Sequence, residues 1–176
     1  EVTPELIKEE KPDSVIIATG SKTLILPIEG IDNPAIIHGS DLLDGKRAAG
    51  KKVLVVGGGM VGCETAAFLG EQEHDVTVIE FRDTVGADVI HEHRVYLMKD
   101  FEDYGIKEIT GAKVCKFYED GVEYETADGV RHESRGYDSV ILSMGFRNYN
   151  PLEEKIKDLV PETPVSYTHL RAHETC

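Results

Sequence analysis

The amino-acid sequence predicts an α/β chain, in which a parallel sheet flanked by helices is interrupted by a short antiparallel excursion. Three observations carry that expectation. Residues 52–59 read KVLVVGGG, an apolar run that stops on glycines, and residues 61–72 then have a helical composition. A further apolar run, DVTVIE (75–80), closes a βαβ unit. Beyond Gly105 the period changes to short runs separated by Asp-Gly turns, as antiparallel strands require.

Each element can be justified in order. Thr3 before Pro4 and Glu5 predicts a helix start, with Thr3 as cap and proline in the first turn. Residues 1–10 read like the end of something, so the chain is expected to be a piece lacking an N-terminal part. SVIIA (14–18) is a short buried-type strand bounded by Asp13 and Gly20. Residues 21–39 read as irregular, with Pro27, Gly30, Asn33 and Pro34 as turn formers. Ser40 and Asp41 are expected to cap one helical turn at Leu42 and Leu43. After the βαβ unit, residues 88–104 predict an amphipathic helix with Ile90, Leu97, Met98 and Phe101 on one face and Gly105 as its stop. Strands are expected at 106–109, 112–118, 122–126 and 130–133, the last three joined into a meander by Glu119-Asp120-Gly121 and Ala127-Asp128-Gly129. The final strand, 137–143, repeats an earlier phrase: DSVIIATG (13–20) returns as DSVILSMG (138–145).

Composition narrows the function. Apolar residues make up 40% and charged residues 30%, as in ordinary soluble proteins. With 19 basic and 33 acidic residues the net charge is −14, which disfavours nucleic acid and anionic membranes as partners. An anionic ligand must therefore be held by local backbone dipoles. No apolar run approaches the ~20 residues of a membrane span, and no signal-peptide pattern opens the chain. Cys63, Cys115 and Cys176 form no C-x-x-C pair, so neither a disulfide framework nor a zinc site is written, and a reducing cytoplasm is the expected location. Residues 165–175, VSYTHLRAHET, place His169 and His173 at metal-like spacing, but the string resembles the translation of a transposase-type sequencing adapter. The gene is accordingly expected to be truncated near Thr163 or Pro164, with no metal ligand among these residues and no part in the fold for 165–176.

Gly57, Gly59 and Gly62, with Gly58, Met60 and Val61 between them, spell G-x-G-x-x-G between a strand and a helix, and Glu80 closes the next strand. Gly57 permits the tight turn, Gly59 lets the backbone approach a pyrophosphate, and Gly62 lets the helix pack closely. Phosphates then sit on N–H groups at the helix start, each worth roughly 0.3–1 kcal/mol. Glu80 stands where a carboxylate accepts hydrogen bonds from a ribose 2′-hydroxyl and repels a 2′-phosphate, which favours NADH over NADPH. Arg82, two residues on, could reach a phosphate and keeps NADPH open. Glu64, one turn into the helix, reads first as an acid favoured near a helix start. Cys63 reads as a small packed residue without a base beside it. Asp88, His91 and His93 read as an exposed helix start.

These residues resemble a known arrangement. DSVIIATGS, then VLVVGGGMVGCETA, then DVTVIE and DSVILSMGFR, is similar to two-dinucleotide-binding flavoproteins, in which a Rossmann-like NAD(P)H domain is inserted into an FAD domain. More narrowly, MVGCETA, GSDLLDGK and NPLEEKIKDLVPE resemble the C-terminal region of Old Yellow Enzyme-like NADH:flavin oxidoreductases: dienoyl-CoA reductases, enoate reductases and trimethylamine dehydrogenase. The resemblance implies an FAD-domain remnant with crossover at 1–47, an NAD(P)H domain at 48–147 and the start of a return at 148–164. It implies Gly57 to Gly62 as the pyrophosphate loop, Glu80 at the ribose and Glu64 near the nicotinamide carboxamide. Thr19 and Gly20 would lie at the flavin-side crossing, with Met144 and Gly145 at the nicotinamide-side crossing. It also implies an upstream FMN barrel with its small-molecule substrate, a [4Fe–4S] centre and an FAD site in the same polypeptide. The FAD loop, the cluster cysteines and the Gly-Asp flavin motif of that family do not occur in this chain, which is therefore expected to bind NADH, hold FAD poorly and not turn over. The alternatives are a disulfide-reductase or ferredoxin-reductase type flavoenzyme sharing the insertion, and a non-catalytic NADH-binding redox sensor.

Overall fold

The computed structural model describes residues 2–152, 155–156 and 165–167. Along the chain run α1 (Pro4–Glu10), β1 (Val15–Ile17), β2 (Ser21–Thr23), β3 (Ile37–His38), α2 (Gly39–Leu43), β4 (Lys52–Val56), α3 (Met60–Glu71), β5 (Asp75–Ile79) and α4 (His91–Asp103). There follow β6 (Lys107–Ile109), β7 (Lys113–Tyr118), β8 (Gly121–Glu125), β9 (Arg131–Ser134), β10 (Ser139–Leu142), β11 (Phe146–Asn148) and β12 (Val165–Tyr167). Contacts divide the chain into two compact units, residues 24–145 and residues 1–23 with 146–176.

The larger unit is built on a parallel sheet of order β3-β10-β4-β5-β6. Alternation along β4 explains its unbroken apolar run. Val53 and Val55 pack with Cys63, Ala66 and Leu69 of α3 and Leu97 and Phe101 of α4. Leu54 and Val56 face the other way, onto Phe117, Val122 and Tyr137 of the meander side. Both faces are covered, so every position of VLVV must be apolar. The meander β7-β8-β9 forms as expected, with a register shift between Val114 and Lys116. Its corner is tied by Asp120, which accepts hydrogen bonds from Arg135 Nε at 2.7 Å and Gly136 N at 3.1 Å. The Arg135 guanidinium holds the Asp120 carboxyl below its ordinary range.

Several boundaries differ from expectation. Residues 21–39 are not wholly irregular, because β2 and β3 lie within them; SKT and IH are too short to show a period. Ser40 does not cap α2: the helix starts at Gly39 with His38 before it and no side-chain cap bond. α4 begins at His91 rather than Asp88, and Ile90 is 71% exposed instead of lying on the buried face. Its expected stop holds, with Gly105 at φ +66° and Ile106 N donating to Phe101 O. Contacts place residues 24–47 with the nucleotide-loop unit, whereas the resemblance implied a boundary after 47. The reason is burial: Ile31, Ile36, Ile37 and Leu42 lie in that unit's two cores.

The smaller unit has its own core of Ile7, Ile17 and Ile156, with Val15 and Leu152 against it. Thr3 caps α1 as expected, its Oγ1 accepting from Leu6 N at 3.3 Å. The stretches that follow the two repeated phrases, β2 and β11, pair as an antiparallel ribbon, with Arg147 opposite Lys22. Thr19 Oγ1 donates to Tyr149 O, and Tyr149 N donates to Gly20 O at 2.9 Å. Val165–Tyr167, expected to stay outside the fold, pairs in parallel with β1. Such a ladder uses backbone groups alone, which any strand-compatible residues supply. The expected stop near 163–164 and residues 168–176, His169 and His173 included, lie outside the described residues.

Candidate dinucleotide-binding site

The strand order places β4 between β10 and β5, so chain leaving the carboxyl end of β4 enters the crevice where parallel α/β sheets hold ligands. Gly57 emerges there at φ +105°, with its N–H fixed to Ile79 O at 2.9 Å. A Cβ on Gly57 would stand 2.3 Å from Ser143 O, beyond the end of β10. A Cβ on Gly62 would stand 1.8 Å from Gly57 O. These two glycines thus let the first turn of α3 sit directly on the loop. That contact refines the expected role of Gly62: it packs on the loop's own carbonyl. Gly58 is enclosed by Glu80 and Val85, both 2.9 Å from where its Cβ would be. Gly59 precedes α3 without a side-chain cap, and the first turn of α3 carries no acid. The leading N–H groups of a helix have no intrahelical acceptor, so this end is dipolar and suited to an anion.

Glu80 reaches back to this loop. Its Oε2 accepts from Gly58 N at 2.6 Å and its Oε1 from Arg82 N at 2.9 Å. The carboxylate is held rigidly beside the glycines, with lone pairs left over for another donor. Arg82 is exposed and contributes its backbone: its carbonyl accepts from Gly111 N at 2.8 Å. Glu64 is half-buried, and its Oε1 lies 3.9 Å from His93 Nε2 of α4. Met144 packs against the meander-side core, and Gly145, at φ +99°, accepts from Leu24 N at 2.9 Å. Thr19 and Gly20 belong to the smaller unit, where their bonds go to Tyr149.

Three residues that the motifs did not single out for the site stand beside it. Ser143 is 8% exposed, and its Oγ has no hydrogen-bond partner; His38 Nδ1, at the end of neighbouring β3, is likewise buried and unpaired. Buried polar groups are ordinarily satisfied, so both sites remain open to a further donor or acceptor. Asp88 is the third. It is exposed but not a helix start: its Oδ1 accepts from Met60 N at 3.0 Å. Hydrogen bonds across such sequence distances leave no local signal.

Cys63 is fully buried, donates to Gly58 O at 3.3 Å, and has its thiol pushed up to about 12 by burial. It is a packing residue, as its sequence context indicated, and not a nucleophile. Among the described residues no group of three or more His, Cys, Asp or Glu is arranged to hold a metal ion. None of their helices is long and apolar enough to cross a membrane.

Known proteins share this arrangement. The chain is 36% identical over 143 residues to bilirubin reductase of Mediterraneibacter gnavus, covering 81% of this chain and 22% of that protein. It is 34% identical over 159 residues to NADH oxidase of Thermoanaerobacter brockii, covering 88% and 24%. Among solved structures, 2-naphthoyl-CoA reductase in complex with 2-naphthoyl-CoA superposes with a TM-score of 0.78 at 31% identity, covering 95% of this chain and 25% of the other. The chain thus spans about a quarter of the length of these relatives. The family model described as pyridine nucleotide-disulphide oxidoreductase matches residues 6–160. With the glycine loop, the parallel sheet and the carboxylate on the loop, that match establishes that the chain belongs to the pyridine nucleotide-disulphide oxidoreductase family.

Proposed function

We propose that this chain is the NADH-binding electron-entry module of a flavin-dependent oxidoreductase. In that reading NADH would supply hydride to FAD, and an upstream FMN site, fed through a [4Fe–4S] centre, would supply the reducing chemistry for an activated alkene of enone or enoyl-CoA type. The observation that carries it is the glycine loop seated at the reversal of strand order with Glu80 bonded to Gly58 N. Similarity to an NADH oxidase and to a reductase bound to 2-naphthoyl-CoA supports the finer assignment to the Old Yellow Enzyme-like branch. In this reading the FMN, cluster and FAD parts belong to other segments of the polypeptide.

The bound dinucleotide supplies the hydride. The chain's own residues bind and orient it. Backbone N–H groups of the 57–62 loop receive the diphosphate, in a protein whose net charge of −14 offers no general attraction. Glu80, fixed by two amides, accepts from the adenine-ribose hydroxyls. Glu64 faces the nicotinamide carboxamide, and Met144 and Gly145 border that end. Thr19 and Gly20 mark the flavin-side crossing. Arg82, whose backbone N–H meets Glu80 and whose side chain is exposed, is placed to reach a phosphate. A disulfide-exchange role for this segment is disfavoured by the buried thiol of Cys63. Fluorescence titration of the chain with NADH and NADPH tests the reading. NADH binds more tightly, and Glu80→Gln, which keeps an acceptor but removes the charge, narrows the preference several-fold. Equal affinities in the unaltered chain would remove the role given to Glu80.

A further inference from the structure

Two carboxylates from the segment after β5 sit on amides of the same glycine loop, and they are held very differently. Glu80 is half-buried, with both oxygens engaged, on Gly58 N at 2.6 Å and on Arg82 N at 2.9 Å. Asp88 is exposed and reaches Met60 N through one oxygen at 3.0 Å. Met60 is the first residue of a 12-residue helix, so its N–H lies among those without an intrahelical acceptor and points where an anion is received. The other oxygen, Oδ2, lies 3.1 Å from where a Gly59 Cβ would be, which sets the carboxylate across the mouth of the loop.

The segment bearing Asp88 is fixed even though its side chain is not. Gly86 N donates to Gly58 O at 2.7 Å, while Val85 and Val89 are buried in the helix-side core. Arg94, the cation of this region, is committed to Thr84 Oγ1 at 2.8 Å and Val85 O at 3.2 Å. It therefore does not neutralise Asp88. A diphosphate on the 57–62 loop meets a carboxylate that has no ion-pair partner among the described residues and is already seated on one of the loop's amides.

We propose that Asp88 is an affinity-setting residue of the dinucleotide site, its carboxylate competing with the ligand diphosphate for the Met60 amide, while Glu80 stays in place to receive the ribose. The inference rests on the dinucleotide reading above. Removing the charge tightens binding, because the helix end no longer has to give up one anion to accept another. The effect is confined to ligands that carry the diphosphate.

Asp88→Asn keeps an acceptor for Met60 N without the charge, and Asp88→Ala removes both. Measured on the whole chain by fluorescence titration with NADH and by calorimetry with ADP-ribose, each variant binds about two- to tenfold more tightly than the unaltered protein. The gain shrinks in about 0.5 M salt, where charge effects at an exposed site are screened. Unchanged or weaker NADH affinity in Asp88→Asn with an unaltered circular dichroism spectrum overturns the proposal and leaves the dinucleotide reading standing. Failure of the unaltered chain and both variants to bind either ligand overturns that reading and this one together. Should the alanine variant not fold, the near-isosteric asparagine exchange decides.

Discussion

Replacing Gly62 by alanine tests the loop geometry most directly. The added Cβ stands 1.8 Å from the Gly57 carbonyl oxygen, against the 3.4 Å at which ordinary contact begins, a shortfall of 3.4 − 1.8 = 1.6 Å. The obstacle is backbone and cannot swing aside. Gly57 is anchored on one side by its bond to Ile79 O and packs on the other against Ser143 O. The start of α3 must therefore lift away from the loop, at an overpacking cost of about 1–3 kcal/mol. The lift misaligns the amides that receive the diphosphate. Two or three such contacts at roughly 0.3–1 kcal/mol each amount to about 0.6–3 kcal/mol, which is ~3- to 150-fold in affinity. NADH titration gives the affinity, and circular dichroism with urea melting shows whether the fold is retained. A folded Gly62→Ala variant that binds NADH as tightly as the unaltered chain refutes the reasoning.

Two further outcomes follow from the core. Leu54→Ala, at a position with no exposed surface between the sheet and the meander, costs about 2–5 kcal/mol, read from the urea midpoint at unchanged slope. In a Cys115→Ser, Cys176→Ser background, Cys63 does not react with Ellman's reagent near neutral pH until denaturant is added; rapid native labelling contradicts its placement behind Gly58. The same thiol has a pH signature. Its folded value, pushed up to about 12, lies above the unfolded one, so the unfolded state loses its proton first and Cys63 lowers stability as pH rises from about 9 to 12. Cys63→Ala flattens that alkaline decline, and an unchanged profile counts against the assignment.

Much of the architecture follows from local patterns. VLVV and DVTVI are buried on both faces, so their composition alone marks them as strands of a covered parallel sheet. The glycine spacing announced the loop, and the Asp-Gly corners announced the meander, because positive-φ and turn requirements act within a few residues. The second copy of the repeated DSV phrase serves a contact that its local pattern does not announce. Asp138 accepts from Lys52 N at 2.8 Å and Ser139 Oγ accepts from Gly50 N at 2.9 Å, together securing the start of β4.

What the chain alone could not reveal lies in contacts between residues far apart in sequence. β3 is two residues long and exists only because β10 offers an edge to pair with. Ile90 fits a helical stripe by spacing, yet α4 begins after it because the preceding segment is bound to the glycine loop. Asp88 reads as surface by composition, and only the folded loop brings it onto Met60 N. Sequence thus determined the glycine loop and its flanking strand and helix, since each is specified by backbone requirements over a few residues. Tertiary structure decided which carboxylates share the helix end, because a hydrogen bond between residues 28 apart depends on where the intervening strand sends the chain.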